Sequence, residues 1–241
     1  MTDASFLKRA VGVQAAQLVD SGMRLGLGTG STVAHLLVAL ALRLEKGELR
    51  DIVGVPTSLR TATEARKLGI PLTSLAETPD LDLTIDGADE VDPQLDLIKG
   101  LGGALLREKM VAQASGRLAI MVDDSKIVPT LGARSAVPVE VVQFGWEVHG
   151  SFMESLGAEP VLRLGVDGEP IVTDNGNFIV DCRFPDGIGD AETFERAVQA
   201  RAGVVETGLF LGMATEVLVA APEGVSTLTR NGATPTEAHA S

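Results

Sequence analysis

The sequence predicts an α/β protein: a Rossmann-like, mostly parallel sheet carrying a smaller α+β insert of ferredoxin-like kind. Strand-length apolar runs alternate with helical periods from Thr2 to about Val122, the rhythm changes after Thr130, and strand-like runs return near residue 206. The expected division is therefore residues 1–130 and 206–241 for the sheet domain and 131–205 for the insert.

Each element follows from its own pattern. Leu7, Val11, Ala15 and Leu18 share one helical face, Met23–Leu27 is a short strand ending in glycines, and Val33, Leu36, Leu40 and Leu44 resume helical spacing. Ile52–Val55 reads as a strand, and Ser58 caps a helix that stops at Gly69. Leu81, Leu83 and Ile85 alternate with polar residues as a strand does, Ala104–Ala114 is helical, and Arg117–Val122 is the next strand. Strand and helix in alternation imply right-handed crossovers and parallel pairing. In the insert, Val139–Val142 and Pro160–Leu164 are strands, while Trp146–Leu156 and Ala191–Ala200 are helices. Ile171–Thr173 and Phe178–Cys182 flank Asn175-Gly176, a hairpin signal. Leu209–Leu211 and Val217–Ala220 are expected to rejoin the first sheet, and the tail from Pro222 to fray.

Composition excludes several classes. A chain of 241 residues buries roughly 70–75% of its unfolded surface and needs no staples, and its one cysteine, Cys182, allows no internal disulfide. Asp3 sits where a signal peptide carries positive charge, and the longest apolar run, Leu36–Leu42, falls far short of the roughly 20 residues that span a bilayer. A cytoplasmic protein without membrane contact is expected. The net charge of −13 argues against nucleic acid, which requires a basic face. It does not exclude a small anion, which backbone N–H groups and one or two lysines can hold. His35, His149 and His239 lie too far apart for ligand spacing, so no metal is expected.

In open parallel sheets, ligands bind beyond the carboxyl ends of the strands. Four such loops collect chemistry: Gly28-Thr29-Gly30-Ser31-Thr32, Asp86-Gly87-Ala88-Asp89-Glu90, Lys99-Gly100-Leu101-Gly102-Gly103 ahead of the helix bearing Glu108, and Asp123-Asp124-Ser125-Lys126. The first suits phosphate, with glycines for close approach, a helix start for N–H donors and three hydroxyls. It is not a dinucleotide fingerprint, because Ser31 stands where the third glycine belongs. Taken singly, Asp86 and Asp89 suit an ordinary turn, Glu108 a helix's first turns, and Lys99 and Lys126 a surface. Their meeting at one sheet edge is what carries the reading: a carboxylate acid–base enzyme acting on a small phosphorylated sugar. A sugar-phosphate deaminase or acyl-CoA transferase of related fold, or a non-catalytic sugar-phosphate sensor, are the rivals.

The blocks Gly26-Leu27-Gly28-Thr29-Gly30-Ser31-Thr32, Asp86-Gly87-Ala88-Asp89-Glu90, Lys99-Gly100-Leu101-Gly102-Gly103 and Leu106-Arg107-Glu108-Lys109, in this order, resemble the signature of ribose-5-phosphate isomerase, type A. Gly176–Asp181 and Glu206–Phe210 extend the likeness over about residues 5 to 220, with Gln143 departing from an expected proline. The resemblance implies reversible conversion of D-ribose 5-phosphate to D-ribulose 5-phosphate through a cis-enediol, in the pentose phosphate pathway. It implies no cofactor or metal, and a homodimer or dimer of dimers. Carried over, Glu108 is the base and Asp86, Asp89 and Lys99 assist it. Lys8, Thr29, Gly30, Ser31, Thr32, Asp86, Gly87, Ala88, Asp89, Lys99, Gly100, Leu101, Gly102 and Lys126 contact substrate. The chemistry agrees, since an aldose–ketose shift needs one base reaching two carbons and one donor for the oxygen that turns anionic.

Overall fold

The computed structural model describes residues 4–230; residues 1–3 and 231–241, His239 among them, lie outside it. Helix α1 (Ala4–Ala16) leads to β1 (Arg24–Leu27), α2 (Ser31–Glu45), β2 (Val53–Pro56) and α3 (Leu59–Lys67). Then come β3 (Leu83–Gly87), β4 (Glu90–Val91), β5 (Leu97–Ile98), α4 (Leu105–Gln113) and β6 (Leu118–Asp123). The middle of the chain gives β7 (Val137–Val141), α5 (Gly150–Ser155), β8 (Glu159–Leu162), β9 (Phe178–Arg183), α6 (Ala191–Gln199) and β10 (Val204–Thr207). The chain ends in β11 (Leu209–Phe210), β12 (Glu216–Ala221) and β13 (Gly224–Thr229).

The main sheet has the order β13-β12-β6-β3-β1-β2, parallel from β12 to β2 with β13 antiparallel at the edge. Its central strands are buried, β6 along all of its length, which is why they read as apolar runs. Val11 and Ala15 of α1 and Leu36, Leu37 and Leu40 of α2 pack with Leu25, Leu83 and Met121 in one core. Truncating such a leucine to alanine costs about 2–5 kcal/mol. Strand order reverses at β1, whose neighbours are β2 and β3. A crevice opens there, between the carboxyl ends of β1 and β3.

The second sheet, order β10-β7-β9-β8, is antiparallel throughout and has the chain order β-α-β-β-α-β. The expected helix Trp146–Leu156 divides into a 3-10 turn, Trp146–His149, and α5. Ile171–Thr173 is not a strand: Thr173 and Asn177 close a turn by an N–H to carbonyl bond of 2.9 Å, and β9 pairs with β7 and β8 instead.

Two further expectations fail. Leu209–Leu211 does not rejoin the main sheet; β11 pairs with β5, which pairs with β4, in a three-stranded sheet of its own. The chain beyond Pro222 does not fray at once, because β13 pairs with β12 along its full length, Glu216 opposite Thr229 through Ala221 opposite Gly224. Its alternating half-buried and exposed residues suit an edge strand with one face on the protein.

Candidate active site

A cleft opens over the carboxyl ends of β1, β3 and β6. Lys8, Thr29, Gly30, Ser31, Thr32, Gly87, Ala88, Asp89, Lys99, Gly100, Gly102, Glu108 and Lys126 line it, together with Met121, Val122 and Asp123. Nearly every expected substrate residue is thus brought to one place. The exceptions are Asp86, buried just beneath the cleft, and Leu101, which points outward at 45% exposure.

At one end lies the loop that links β1 to α2. Gly30, at φ 129°, caps α2 in a conformation that only glycine adopts readily, and no side chain caps that helix start. Lys8 reaches across from α1 to donate to Ser31 Oγ at 3.0 Å. Asp123 accepts the Ser125 N–H at 3.1 Å, shaping the 3-10 turn that presents Lys126. An anion placed here meets helix-start N–H groups, hydroxyls and two ammonium groups.

The loop is clamped from behind. Thr29 Oγ1 lies 2.7 Å from Thr57 Oγ1 and 2.9 Å from Ser58 Oγ, and Thr61 Oγ1 donates to the Gly28 carbonyl at 2.8 Å. Thr57, Ser58 and Thr61 are buried. These residues begin where β2 ends; Ser58 is the N-cap of α3, as expected, but the hydroxyl cluster is legible only once β2's carboxyl end is placed beside β1's.

At the other end, Asp86, Lys99 and Glu108 form a buried triad. Asp86 Oδ1 accepts the Thr29 N–H at 3.0 Å and the Gly87 N–H at 2.7 Å, and Oδ2 stands 2.9 Å from Lys99 Nζ. Gly28 leaves room for this carboxylate: a Cβ there would lie 2.1 Å from Asp86 Oδ1. Lys99 also donates to the Gly87 carbonyl at 2.5 Å, and its backbone N–H to the Gly208 carbonyl at 2.8 Å. The three-stranded sheet is what fixes it, since β5 ends at Ile98 and β11 begins at Leu209.

Glu108 sits on α4, one turn past Gly103, 4% exposed and 3.4 Å from Lys99 Nζ through Oε2. Among the described residues that oxygen makes no hydrogen bond; its charged neighbour is the Lys99 ammonium. Burial, then the neighbouring Asp86 charge, pushes the Glu108 carboxyl up to about 8, although Lys99 pulls the other way. Burial alone would lower the Lys99 ammonium, but the Asp86 and Glu108 carboxylates outweigh it and hold it above its ordinary value. Asp89 borders the cleft, with Oδ2 accepting the Leu101 N–H at 3.0 Å. The arrangement offers a base that becomes a carboxylate as pH rises through about 8, a fixed cation beside it and an anion cradle at a distance.

Other acids in the expected loops serve the fold. Glu90 is buried and accepts N–H bonds from Gly132, Arg134 and Ser135. Cys182 is a core residue whose thiol burial pushes up to about 12.

Residues 53–224 match the family model of ribose 5-phosphate isomerase A, also called phosphoriboisomerase A. The ribose-5-phosphate isomerase A of Chloroflexus aurantiacus is 54% identical over 228 residues, covering 95% of each chain. A solved D-ribose-5-phosphate isomerase in complex with phospho-erythronic acid superposes with a TM-score of 0.92 at 39% identity, over 95% of this chain and all of that one (100%). The ribose 5-phosphate isomerase of Plasmodium falciparum gives a TM-score of 0.90 at 42% identity, over 93% of this chain and 98% of its own.

Proposed function

This chain belongs to the ribose 5-phosphate isomerase A family, and from that premise we propose how its cleft works. It is an isomerase interconverting D-ribose 5-phosphate and D-ribulose 5-phosphate. The substrate's phosphate sits in the cradle of Thr29–Thr32, Lys8 and Lys126, and its C1 and C2 lie beside Glu108. The observation that carries this is the buried Glu108 carboxylate, 3.4 Å from the Lys99 ammonium, lining a cleft whose far end is the cradle.

Asp89 opens the furanose, moving the anomeric hydroxyl proton toward the ring oxygen. It is the freer acid, because both oxygens of Asp86 are engaged. Glu108 then removes the C2 proton of the open aldose. The electron pair forms the C1–C2 double bond, and negative charge reaches the C1 oxygen. The Lys99 ammonium stabilises that oxygen, with Asp86 holding the ammonium in place. The C2 hydroxyl proton passes to the C1 oxygen, and as the electrons left on the C2 oxygen form the carbonyl, the C1–C2 pair takes the proton back from Glu108 at C1, leaving the ketose. Between the transfers lies a cis-enediol, bound on one face. Phosphate binding, remote from these carbons, holds the chain in reacting geometry.

Residues 1–130 and 206–241 are assigned as the catalytic unit and 131–205 as the insert. The enzyme acts in the cytoplasm as a homodimer or dimer of dimers, and no helix of the described residues is long and apolar enough to cross a membrane. The cradle is tested by Ser31→Ala and Lys126→Ala. Each removes a bond to a charged group, worth ~1.5–3 kcal/mol, so kcat/KM falls roughly 10- to 100-fold and competitive inhibition by inorganic phosphate weakens in parallel. Unchanged inhibition by phosphate in both variants would place the anion elsewhere.

A further inference from the structure

The insert sends one turn, Thr173–Asn177, onto the catalytic side, and its side chains make a connected set of bonds. Asp174 Oδ2 accepts the N–H of Leu59, the first residue of α3, at 2.8 Å. Its backbone carbonyl accepts from Arg107 Nη2 at 2.8 Å, and Asn175 Oδ1 accepts from Arg107 Nε at 2.8 Å. Arg107 immediately precedes Glu108 on α4.

The turn is itself anchored on a buried charge. Glu140 of β7 is fully buried, and its Oε1 accepts from Thr173 Oγ1 at 2.9 Å, Asn175 Nδ2 at 3.1 Å and Asn177 Nδ2 at 2.8 Å. A carboxylate taken out of water for three bonds to one turn fixes that turn strongly. A second hollow is lined in part by Thr29, Gly30, Ser58, Gly102, Ile171 and Asp174, and the bonds that link the turn to the anion loop run through what it grips.

It grips Arg107, whose Nη1 also lies 3.6 Å from Asp174 Oδ2, and the start of α3, and that start clamps the anion loop: Ser58 and Thr61 hold Thr29 Oγ1, and Thr61 holds the Gly28 carbonyl. We propose that Asp174 is a positioning residue for the phosphate cradle, acting through the Leu59 N–H and the Ser58–Thr61 hydroxyls on the Gly28–Thr29 backbone. The insert therefore completes the substrate site without touching substrate. This rests on reading Thr29–Thr32 as the cradle.

Asp174→Ala tests it. The KM for ribose 5-phosphate and the inhibition constant of inorganic phosphate rise together, about three- to twentyfold, while kcat stays within about twofold. Asp174→Asn, which keeps an acceptor for Leu59, recovers most of the loss. Because the effect runs through Thr61, Asp174→Ala adds little to Thr61→Val, whereas independent sites would add. A fall in kcat with phosphate inhibition unmoved, or full additivity with Thr61→Val, would overturn the assignment. Ser31→Ala separates the two levels. If it weakens phosphate inhibition and Asp174→Ala does not, only Asp174 is refuted; if Ser31→Ala is also silent, the cradle reading falls with it.

Discussion

Replacing Lys99 by methionine removes the charge between Asp86 and Glu108 while keeping the length of the side chain. At the 3.4 Å separation of Lys99 Nζ and Glu108 Oε2, Coulomb's law with an effective dielectric near 20 gives about 5 kcal/mol. That is a ceiling, because Asp86 at 2.9 Å shares the ammonium and water can enter the vacated space. A third to a half of it still shifts the carboxyl by about one to two units at 1.36 kcal/mol each. The sign follows from the roles. Glu108 works as a carboxylate, so kcat/KM of the wild type rises with pH through about 8, and Lys99 stays charged across that range because its ammonium is held above its ordinary value. In Lys99→Met, the acid form of Glu108 is favoured further and the rising limb moves to higher pH. The plateau also falls ~10²–10³-fold, for loss of the donor to the C1 oxygen. The assay is initial ketose formation from ribose 5-phosphate between pH 5 and 10. A limb that stays in place, or moves to lower pH, would show that Glu108 does not feel Lys99 as described.

Two further outcomes are expected. Gly28→Ala places a methyl about where Asp86 Oδ1 lies, 2.1 Å away, so it displaces that carboxylate from the Thr29 N–H and raises KM at least about tenfold, as steady-state kinetics will register. Sedimentation at micromolar concentration gives a species of at least twice the chain mass of 25.1 kDa; a lone monomer there would contradict the dimer.

The parallel half of the fold was legible because β1, β3 and β6 are buried runs set between helices of regular period. The site followed from the same pattern, since Gly28, Asp86 and Lys126 each sit just beyond or at the end of such a strand. What escaped the reading depends on partners distant in the chain. Two-residue strands such as β4, β5 and β11 carry no periodicity, so Leu209 was assigned to the wrong sheet although it pairs with Ile98. The edge strand β13 was mistaken for a tail because its Thr and Gly content mimics a loop until β12 pairs with it. The hairpin signal at Asn175-Gly176 marked a real turn, closed between Thr173 and Asn177 and anchored on Glu140, but Ile171–Thr173 does not form a strand beside β9. Nothing local to Glu140 or Thr57 says that both are buried.

The central claim is that one carboxylate, Glu108, moves the proton between C1 and C2. Glu108→Gln keeps size and hydrogen bonding while removing the basic oxygen. The measurement is solvent-deuterium exchange into C2 of ribose 5-phosphate alongside turnover. The account predicts that kcat falls ~10²–10⁴-fold, equivalent to about 3–5 kcal/mol of barrier, that exchange is lost in proportion, and that KM changes little. Turnover and exchange within about threefold of wild type, a difference worth less than about 1 kcal/mol, would contradict it and pass the role to Asp89.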